Sequence, residues 1–201
     1  MRVHPVYTSE ETLLFTYNIT KRLLGEINGC YVEFGVAAGS QIGAMQQAML
    51  DMKKTEQIFG FDSFQGIPYA GSQDKEQPGI GTVDKTKIGL LESTGISAHT
   101  EKNVFDNFKL WNLPINNLCL IKGWFQETIP NTQLPPIALM RLDGDLYEST
   151  YLPLNNYLIN VVSGGVIIID DWNLEGVRKA VFEYFSKRDI KEEAGIAWIQ
   201  L

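Results

Sequence analysis

Carboxylate side chains follow two of the apolar runs in this sequence. The run IALMRL is followed by Asp143 and Asp145, and the run GGVIII is followed by Asp170 and Asp171. A buried strand that ends in carboxylates is costly unless the charges have partners. Open α/β sheets bind ligands at the carboxyl ends of their strands, and such oxygens are the ligands of hard cations. The two runs therefore predict a cluster of carboxylates around one point at a sheet edge.

A local role for these residues is the alternative. Asp143 would then turn the chain, and Asp171 or Asn173 would cap the next helix, as Asp and Asn commonly do. Asp145 would likewise cap the helix that is entered through residues 148–150. Because two acidic turns occur together, a shared site is favoured over two independent turns.

A glycine-containing turn follows an earlier strand-like run, in the sequence YVEFGVAAGSQIGAM. Gly35 and Gly39 allow a tight turn and a close approach of the backbone to a ligand at a helix N-terminus. The dinucleotide fingerprint G-x-G-x-x-G is absent, since position 37 is Ala and position 40 is Ser. The turn predicts a ligand site but does not identify the ligand.

Two further features place a nucleoside ligand beside this turn. The second strand-like run ends at Asp62, where a carboxylate can accept hydrogen bonds from both ribose hydroxyls. Its alternative role is to cap the turn at residues 63–65. Trp124 and Phe125, in KGWFQET, can pack against an adenine ring or simply against the core.

The elements that must position these residues alternate along the chain. Strand-like runs occur at CYVEFG, QIFGFD, NLCLIK, IALMRL and GVIIID, and helical patterns lie between most of them, at 39–53, 100–111, 150–162 and 174–187. Thr8 and Glu11 suggest a capping box for a helix that continues to about Ile27. This alternation predicts an α/β fold with a mostly parallel sheet and helices on both faces. We expect a single domain over 1–201, with an N-terminal helical segment at 1–28.

Residues 66–98 interrupt this pattern. They are rich in Gly, Ser, Asp and Lys, with only a weak helical pattern at IGLLES, and Thr100 is a candidate cap for the helix that follows. Long irregular connections inside a domain are usually lids, binding loops or disordered. We expect a lid over the active site, with an idle surface loop as the alternative.

Composition and charge restrict the partners. The chain has 201 residues and a net charge of −7, which argues against non-specific binding of nucleic acid. No secretory signal and no apolar run of ~18 residues is visible, so no membrane partner is expected and a cytoplasmic location is predicted. Cys30 and Cys119 lie in strand-like runs and are predicted to be buried free thiols.

Five motifs together resemble the macrocin O-methyltransferase (TylF-type) family in order and spacing. They are VEFGVAAGS, FGFDSFQGIP, KGWFQETIP, RLDGDLYEST and SGGVIIIDDW, within residues 28–185. Members are class I S-adenosylmethionine-dependent methyltransferases that use Mg²⁺ and methylate sugar hydroxyls of natural-product glycosides. The resemblance implies a Rossmann-like sheet closed by antiparallel C-terminal strands. Only RDIKEEAGIAWIQL remains for them, with residues 195–198 as the final strand.

The resemblance also implies roles for residues of this chain. Asp143, Asp170 and Asp171 would hold the metal ion, and Asp145 would be the general base. A sugar or glycoside would be the acceptor, and we expect a homo-oligomer, a dimer or higher. The residues implied in binding S-adenosylmethionine are Glu33, Gly35, Gly39, Ser40, Asp62, Ser63 and Trp124.

Two other classes of function compete with methyl transfer. A nicotinamide-dependent sugar oxidoreductase would leave Asp170 and Asp171 without a task, and it conflicts with the broken glycine fingerprint. A non-catalytic alternative is an S-adenosylmethionine-binding module or an acidic phosphoacceptor pocket. For a phosphoacceptor domain the chain is too long, and the glycine turn would have no role.

Overall fold

Seven strands form one sheet in the computed structural model, which describes residues 1–74, 86–88 and 90–201. They are β1 (Cys30–Phe34), β2 (Ile58–Asp62), β3 (Leu118–Lys122), β4 (Ile137–Leu142), β5 (Val161–Ile169), β6 (Lys191–Glu193) and β7 (Ile196–Gln200). Their order is β3-β2-β1-β4-β5-β7-β6. Strands β1 to β5 run parallel, and β7 is antiparallel to both β5 and β6. The predicted α/β fold, with a mostly parallel sheet and an antiparallel C-terminal strand, is confirmed.

Helices cover both faces of this sheet. They are α1 (Glu10–Glu26), α2 (Ser40–Met52), α3 (Glu101–Leu110), α4 (Phe125–Thr128), α5 (Tyr147–Tyr157) and α6 (Glu175–Phe182). One hydrophobic cluster joins α1, α2 and α3 to one face of the sheet, and a second joins α5 and α6 to the other. Because β4 and most of β5 are buried on both faces, their sequences are nearly continuous apolar runs.

The predicted start of α1 was wrong by one residue. Ser9, and not Thr8, is the N-cap, and its side chain accepts a hydrogen bond from the backbone N–H of Thr12. Glu11 is therefore the second helical residue and cannot complete a capping box. The Thr8 hydroxyl accepts instead from Nε2 of Gln41 at 2.7 Å. The predicted cap at Thr100 is confirmed, because its side chain accepts from the N–H of Asn103.

The last helices differ from their predicted limits. The helix predicted at 150–162 begins at Tyr147 and ends at Tyr157, since β5 already starts at Val161. The helix predicted at 174–187 ends at Phe182.

The C-terminal hairpin explains how so little chain forms two strands. Glu193 pairs with Ile196, so the loop between β6 and β7 contains only Ala194 and Gly195. Both loop residues have positive φ, 55° and 78°, which suits a tight two-residue hairpin turn.

Two further expectations concern the burial of Cys119 and the structure of the segment 66–98. Cys30 is buried, but Cys119 is exposed because β3 is an edge strand. The helix that the pattern at IGLLES suggested is absent from the described residues 90–92, which have no regular structure. Residues 75–85 and 89 of the predicted lid lie outside the described residues, and the lid stays a prediction. No helix in the described part of the chain is long and apolar enough to cross a membrane.

Candidate active site

A cavity of about 270 Å³ opens at the carboxyl ends of the central strands. It lies where the order of the strands reverses, between β1 and β4, which is the usual ligand position in open α/β sheets. Ten of the eleven predicted site residues line it, and Gly39 is the exception. The ten are Glu33, Gly35, Ser40, Asp62, Ser63, Trp124, Asp143, Asp145, Asp170 and Asp171.

Arg141 lies beneath this cavity and is fully buried. It pairs in register with Glu33 on β1, and its Nη1 donates to Glu33 at 3.3 Å and to Oδ2 of Asp143 at 2.6 Å. Its Nη2 forms an ion pair with Oδ1 of Asp170 at 2.9 Å. One guanidinium therefore joins carboxylates at the ends of β1, β4 and β5.

Burial and mutual repulsion perturb the carboxyl groups around Arg141. Burial is the largest cause for Glu33, whose pKa is raised to about 8 although Arg141 lowers it. Burial, followed by repulsion from neighbouring carboxylates, raises the pKa of Asp143 and Asp171 well above their usual range. The same causes raise the pKa of Asp145 to about 7. Among the described residues, Arg141 is the only cation that forms ion pairs with these carboxyl groups. Negative charge is therefore in excess here.

Three of these carboxylates can share one ion. Asp143, Asp170 and Asp171 each offer an oxygen, and these oxygens lie within 4.8 Å of one another. Arg141 engages one oxygen each of Asp143 and Asp170, so the second oxygen of each is free of it. An excess of clustered carboxylate oxygens suits a hard divalent cation.

Asp145 lies beside this triad in a left-handed backbone conformation. Its φ is 62°, so the chain turns at Asp145 itself. The N–H of Asp145 donates to Oδ2 of Asp171 at 2.9 Å, which ties the two acidic turns together. Gly144 is needed for close packing, because a Cβ there would lie 2.6 Å from Cβ of Ser149.

Helix capping does not account for these acidic residues. The N-caps of α5 and α6 are Leu146 and Leu174, whose side chains cannot accept a hydrogen bond. The alternative in which Asp145, Asp171 or Asn173 caps a helix was therefore wrong.

The glycine turn packs directly against the end of β4. Gly35 has φ of 96°, and a Cβ there would overlap the carbonyl oxygen of Asp143. Gly39 has φ of 88° and is the N-cap of α2, close to Val104 of α3. The turn therefore brings the N-terminus of α2 and the acidic residues to the same cavity.

Asp62 holds two neighbouring turns together. Its Oδ2 accepts from the N–H groups of Val36 and Ala37, both at 2.8 Å, and its Oδ1 accepts from Phe64 at 2.7 Å. The local turn cap, which was the alternative role for Asp62, is therefore present, and Asp62 also contacts the glycine turn. The ribose contact stays a prediction.

Polar and aromatic side chains complete the wall. Ser40 donates to the carbonyl of His4 and accepts from the N–H of Val6, so it fastens the N-terminal segment over α2. The Ser63 hydroxyl donates to the carbonyl of Gly66. Trp124 lines the cavity, whereas the ring of Phe125 also packs edge-on against Phe34 in the core.

Sequence reasoning missed Arg141 and the N-terminal wall of the cavity. The signal for Arg141 was a single charged residue within IALMRL, two positions before Asp143 and so on the same strand face. Residues 6–8 line the cavity together with Gln41, and their local sequence carries no such signal.

Comparison with known proteins identifies the family. A family model described as macrocin-O-methyltransferase (TylF) matches residues 15–200. The chain belongs to this family.

Two curated proteins and one solved structure are similar to this macrocin O-methyltransferase family member. The demethyldecarbamoylnovobiocin O-methyltransferase of Streptomyces niveus is 36% identical over 133 residues, 66% of this chain and 48% of that protein. The 8-demethyl-8-(2,3-dimethoxy-alpha-L-rhamnosyl)-tetracenomycin-C 4'-O-methyltransferase of Streptomyces olivaceus is 31% identical over 177 residues, 88% of this chain and 65% of that protein. The structure of the O-methyltransferase NovP matches with a TM-score of 0.77 and 28% identity, over 94% of this chain and 79% of that chain. The matched regions span about half to just under two thirds of the two curated relatives.

Replacing Arg141 tests the buried ion pairs. Arg141→Met leaves the carboxylates of Glu33, Asp143 and Asp170 without their cation, and breaking a buried pair in this way costs about 3–5 kcal/mol of unfolding free energy. Chemical denaturation at neutral pH measures the loss. Lys102→Met is the control, since it removes an exposed ion pair with Asp106 that contributes roughly 0.3–0.5 kcal/mol. Equal losses for both variants would contradict a structural role for Arg141.

Proposed function

We propose that this chain is an S-adenosylmethionine-dependent O-methyltransferase that methylates a hydroxyl of a sugar or glycoside. The observation that carries the proposal is the meeting of the glycine turn, Asp62 and the acidic triad in one cavity. Membership of the family supports methyl transfer. The names of the relatives, among them a 4'-O-methyltransferase of a rhamnosyl compound, support a sugar-linked acceptor. A cytoplasmic location and a homo-oligomer stay predictions.

The cofactor residues act on different parts of S-adenosylmethionine in this proposal. Gly35 and Gly39 let the backbone approach the ligand at the N-terminus of α2, with Ser40 beside them. Asp62 and Ser63 would bind the ribose, and Trp124 would pack against the adenine, since all three line the cavity. Glu33 is buried in the cavity wall, and its Oε2 lacks a hydrogen-bond partner among the described residues, so it is available to a donor group of the ligand.

Asp143, Asp170 and Asp171 are the residues that would hold Mg²⁺. Their oxygens are close enough to share one ion, and a cation would relieve the repulsion between these carboxylates. A divalent cation bound there would lower the pKa of a sugar hydroxyl and hold it in place. Arg141 orients two of the three carboxylates towards that position.

Asp145 is the general base of the proposed reaction. Asp145 takes the proton of the acceptor hydroxyl while the oxygen gains the methyl carbon, and the sulfur leaves with the electrons of the broken C–S bond. The products are a methyl ether and S-adenosylhomocysteine. Burial, the largest cause of its raised pKa, makes Asp145 a stronger base than an exposed carboxylate. Asp145 is not needed as a metal ligand, because the triad is complete without it.

Binding of S-adenosylhomocysteine tests the cofactor assignment. Asp62→Ala removes the expected ribose contact and the two bonds that hold the glycine turn, so affinity should fall at least tenfold, as expected for a charge-assisted contact of about 1.5–3 kcal/mol. Calorimetry measures the affinity. Asp51→Ala is the matched control, because that carboxylate binds Tyr17 and Gln47 and lies outside the cavity lining. Unchanged affinity for Asp62→Ala, or preferred binding of a nicotinamide dinucleotide, would refute the assignment.

Removal of the metal tests the acidic triad. Excess chelator should abolish methyl transfer and leave the affinity for S-adenosylhomocysteine unchanged, because the ion serves the acceptor and not the sulfonium. Asp143→Asn and Asp171→Asn should each weaken Mg²⁺ binding in calorimetry, whereas Asp106→Asn, on an exposed helix surface, should not. Full activity in chelator would show that the reaction does not depend on this site.

Asp145→Asn tests the base. Loss of proton transfer should lower kcat by about 10²–10⁴-fold, with cofactor and Mg²⁺ affinities nearly intact. Steady-state kinetics with an acceptor from a glycoside library give kcat, and Glu148→Gln, an exposed carboxylate in the first turn of α5, is the control. A variant that keeps its turnover but melts at lower temperature would assign Asp145 to the scaffold.

A further inference from the structure

The first turn of α5 receives its cap from a distant part of the chain. Its own N-cap, Leu146, has no polar side chain. Oδ1 of Asp74 accepts a hydrogen bond from the N–H of Tyr147 at 2.8 Å, although the two residues are 73 positions apart. Oδ2 of the same carboxylate accepts from the N–H of Gly71 at 3.1 Å, which holds the side chain in place. A carboxylate at a helix N-terminus also interacts favourably with the helix dipole.

A glycine in helix α6 makes room for the carboxylate of Asp74. Gly176 is the second residue of α6, and a Cβ there would overlap Oδ1 of Asp74 and lie 3.2 Å from the N–H nitrogen of Tyr147. Any larger residue at position 176 therefore displaces the carboxylate. Asp74 is thus enclosed between the starts of α5 and α6.

Two further contacts fix the segment that carries Asp74. Ile67 and Ala70 form a small buried cluster with Leu146, and Ile96 packs against it. Nζ of Lys179 on α6 donates to the carbonyl of Gln73 at 3.0 Å. The segment 67–74 is therefore attached to the residue that precedes α5 and to the helix beside it.

Tyr147, whose N–H Asp74 holds, directly follows the acidic turn at residues 143–146. Only Asp143, Gly144, Asp145 and Leu146 lie between the end of β4 and Tyr147. The first of them is fixed by its N–H, which donates to the carbonyl of Phe34 at 2.9 Å. Asp145 has a left-handed backbone, a conformation that persists in a non-glycine residue only when its surroundings impose it. The hydrogen bond from the N–H of Tyr147 to Asp74 fixes the other end of this segment.

We propose that Asp74 is a positioning residue for the acidic turn 143–146. It holds the N-terminus of α5, and through that contact it sets where the carboxylate of Asp145 lies. The consequence for methyl transfer rests on the function proposed above. A residue that only capped α5 would affect stability without moving the turn.

Amide hydrogen exchange of the whole protein tests the positioning without any acceptor. In Asp74→Ala and in Gly176→Ala, the amides of Asp145, Leu146 and Tyr147 should exchange faster than in the unaltered protein. The double variant should exchange no faster than Gly176→Ala alone, because both changes remove the contact between Asp74 and Tyr147. Asp189→Ala is the matched control, since it removes an exposed carboxylate that accepts from the backbone of Ser186. It should not change exchange in residues 143–147.

Kinetics separate positioning from capping. Asp74→Ala should lower kcat by up to about 10²-fold, because misplacement of a catalytic group by ~1 Å has effects of that size, while KM for S-adenosylmethionine stays unchanged. Asp74→Asn should recover part of kcat, because its amide oxygen can still accept from Tyr147.

The outcomes separate this proposal from the proposed function. Unchanged exchange at residues 145–147 would overturn the positioning role, and so would faster exchange at Tyr147 alone with unchanged kcat. An unaltered protein that transfers no methyl group to any acceptor would count against the proposed function. The exchange measurement would still decide whether Asp74 fixes the turn.

Discussion

A single buried guanidinium pairs with the carboxylates at the carboxyl edge of this sheet and fixes their positions. Arg141 contacts Glu33 on β1 and the carboxylates that directly follow β4 and β5, so one cation links the three central strands where they end. Charges of the same sign would otherwise repel one another in a poorly hydrated place, where such repulsion is strong. The ion pairs fix one oxygen of Asp143 and one of Asp170 and leave the other oxygens free of the guanidinium. The positions of Asp143 and Asp170 in the acidic triad follow from this constraint, whereas Asp171 is held by the N–H of Asp145.

The same constraint joins two halves of the site. Glu33 precedes the glycine turn by two residues, and Arg141 precedes Asp143 by two, so the strand register places the two turns side by side. Gly35 then packs against the carbonyl of Asp143 without space for a side chain. A cofactor held by the first turn and an acceptor held by the second would therefore meet in one cavity, and positioning of reactants is a large part of catalysis.

Local sequence signals predicted the strands, both acidic turns and the glycine turn, because each depends on neighbouring residues. The contact of Arg141 with Glu33 depends on the pairing of β1 with β4, more than 100 positions apart, which periodicity does not reveal. The contact between Asp74 and Tyr147 is of the same kind. The cap of α1 is Ser9 and not Thr8, and local sequence could not separate these two good caps because the Thr8 hydroxyl accepts from the distant Gln41. The exposure of Cys119 likewise depends on strand order.

We propose that Arg141 holds Asp143 and Asp170 in place so that these two residues and Asp171 can share an ion. Anomalous diffraction from crystals grown with Mn²⁺ and S-adenosylhomocysteine tests it most directly. One anomalous peak is expected between the three carboxylates, with Arg141 still bound to Oδ2 of Asp143 and Oδ1 of Asp170. A peak elsewhere on the chain, or an Arg141 side chain turned away from both carboxylates, would contradict it.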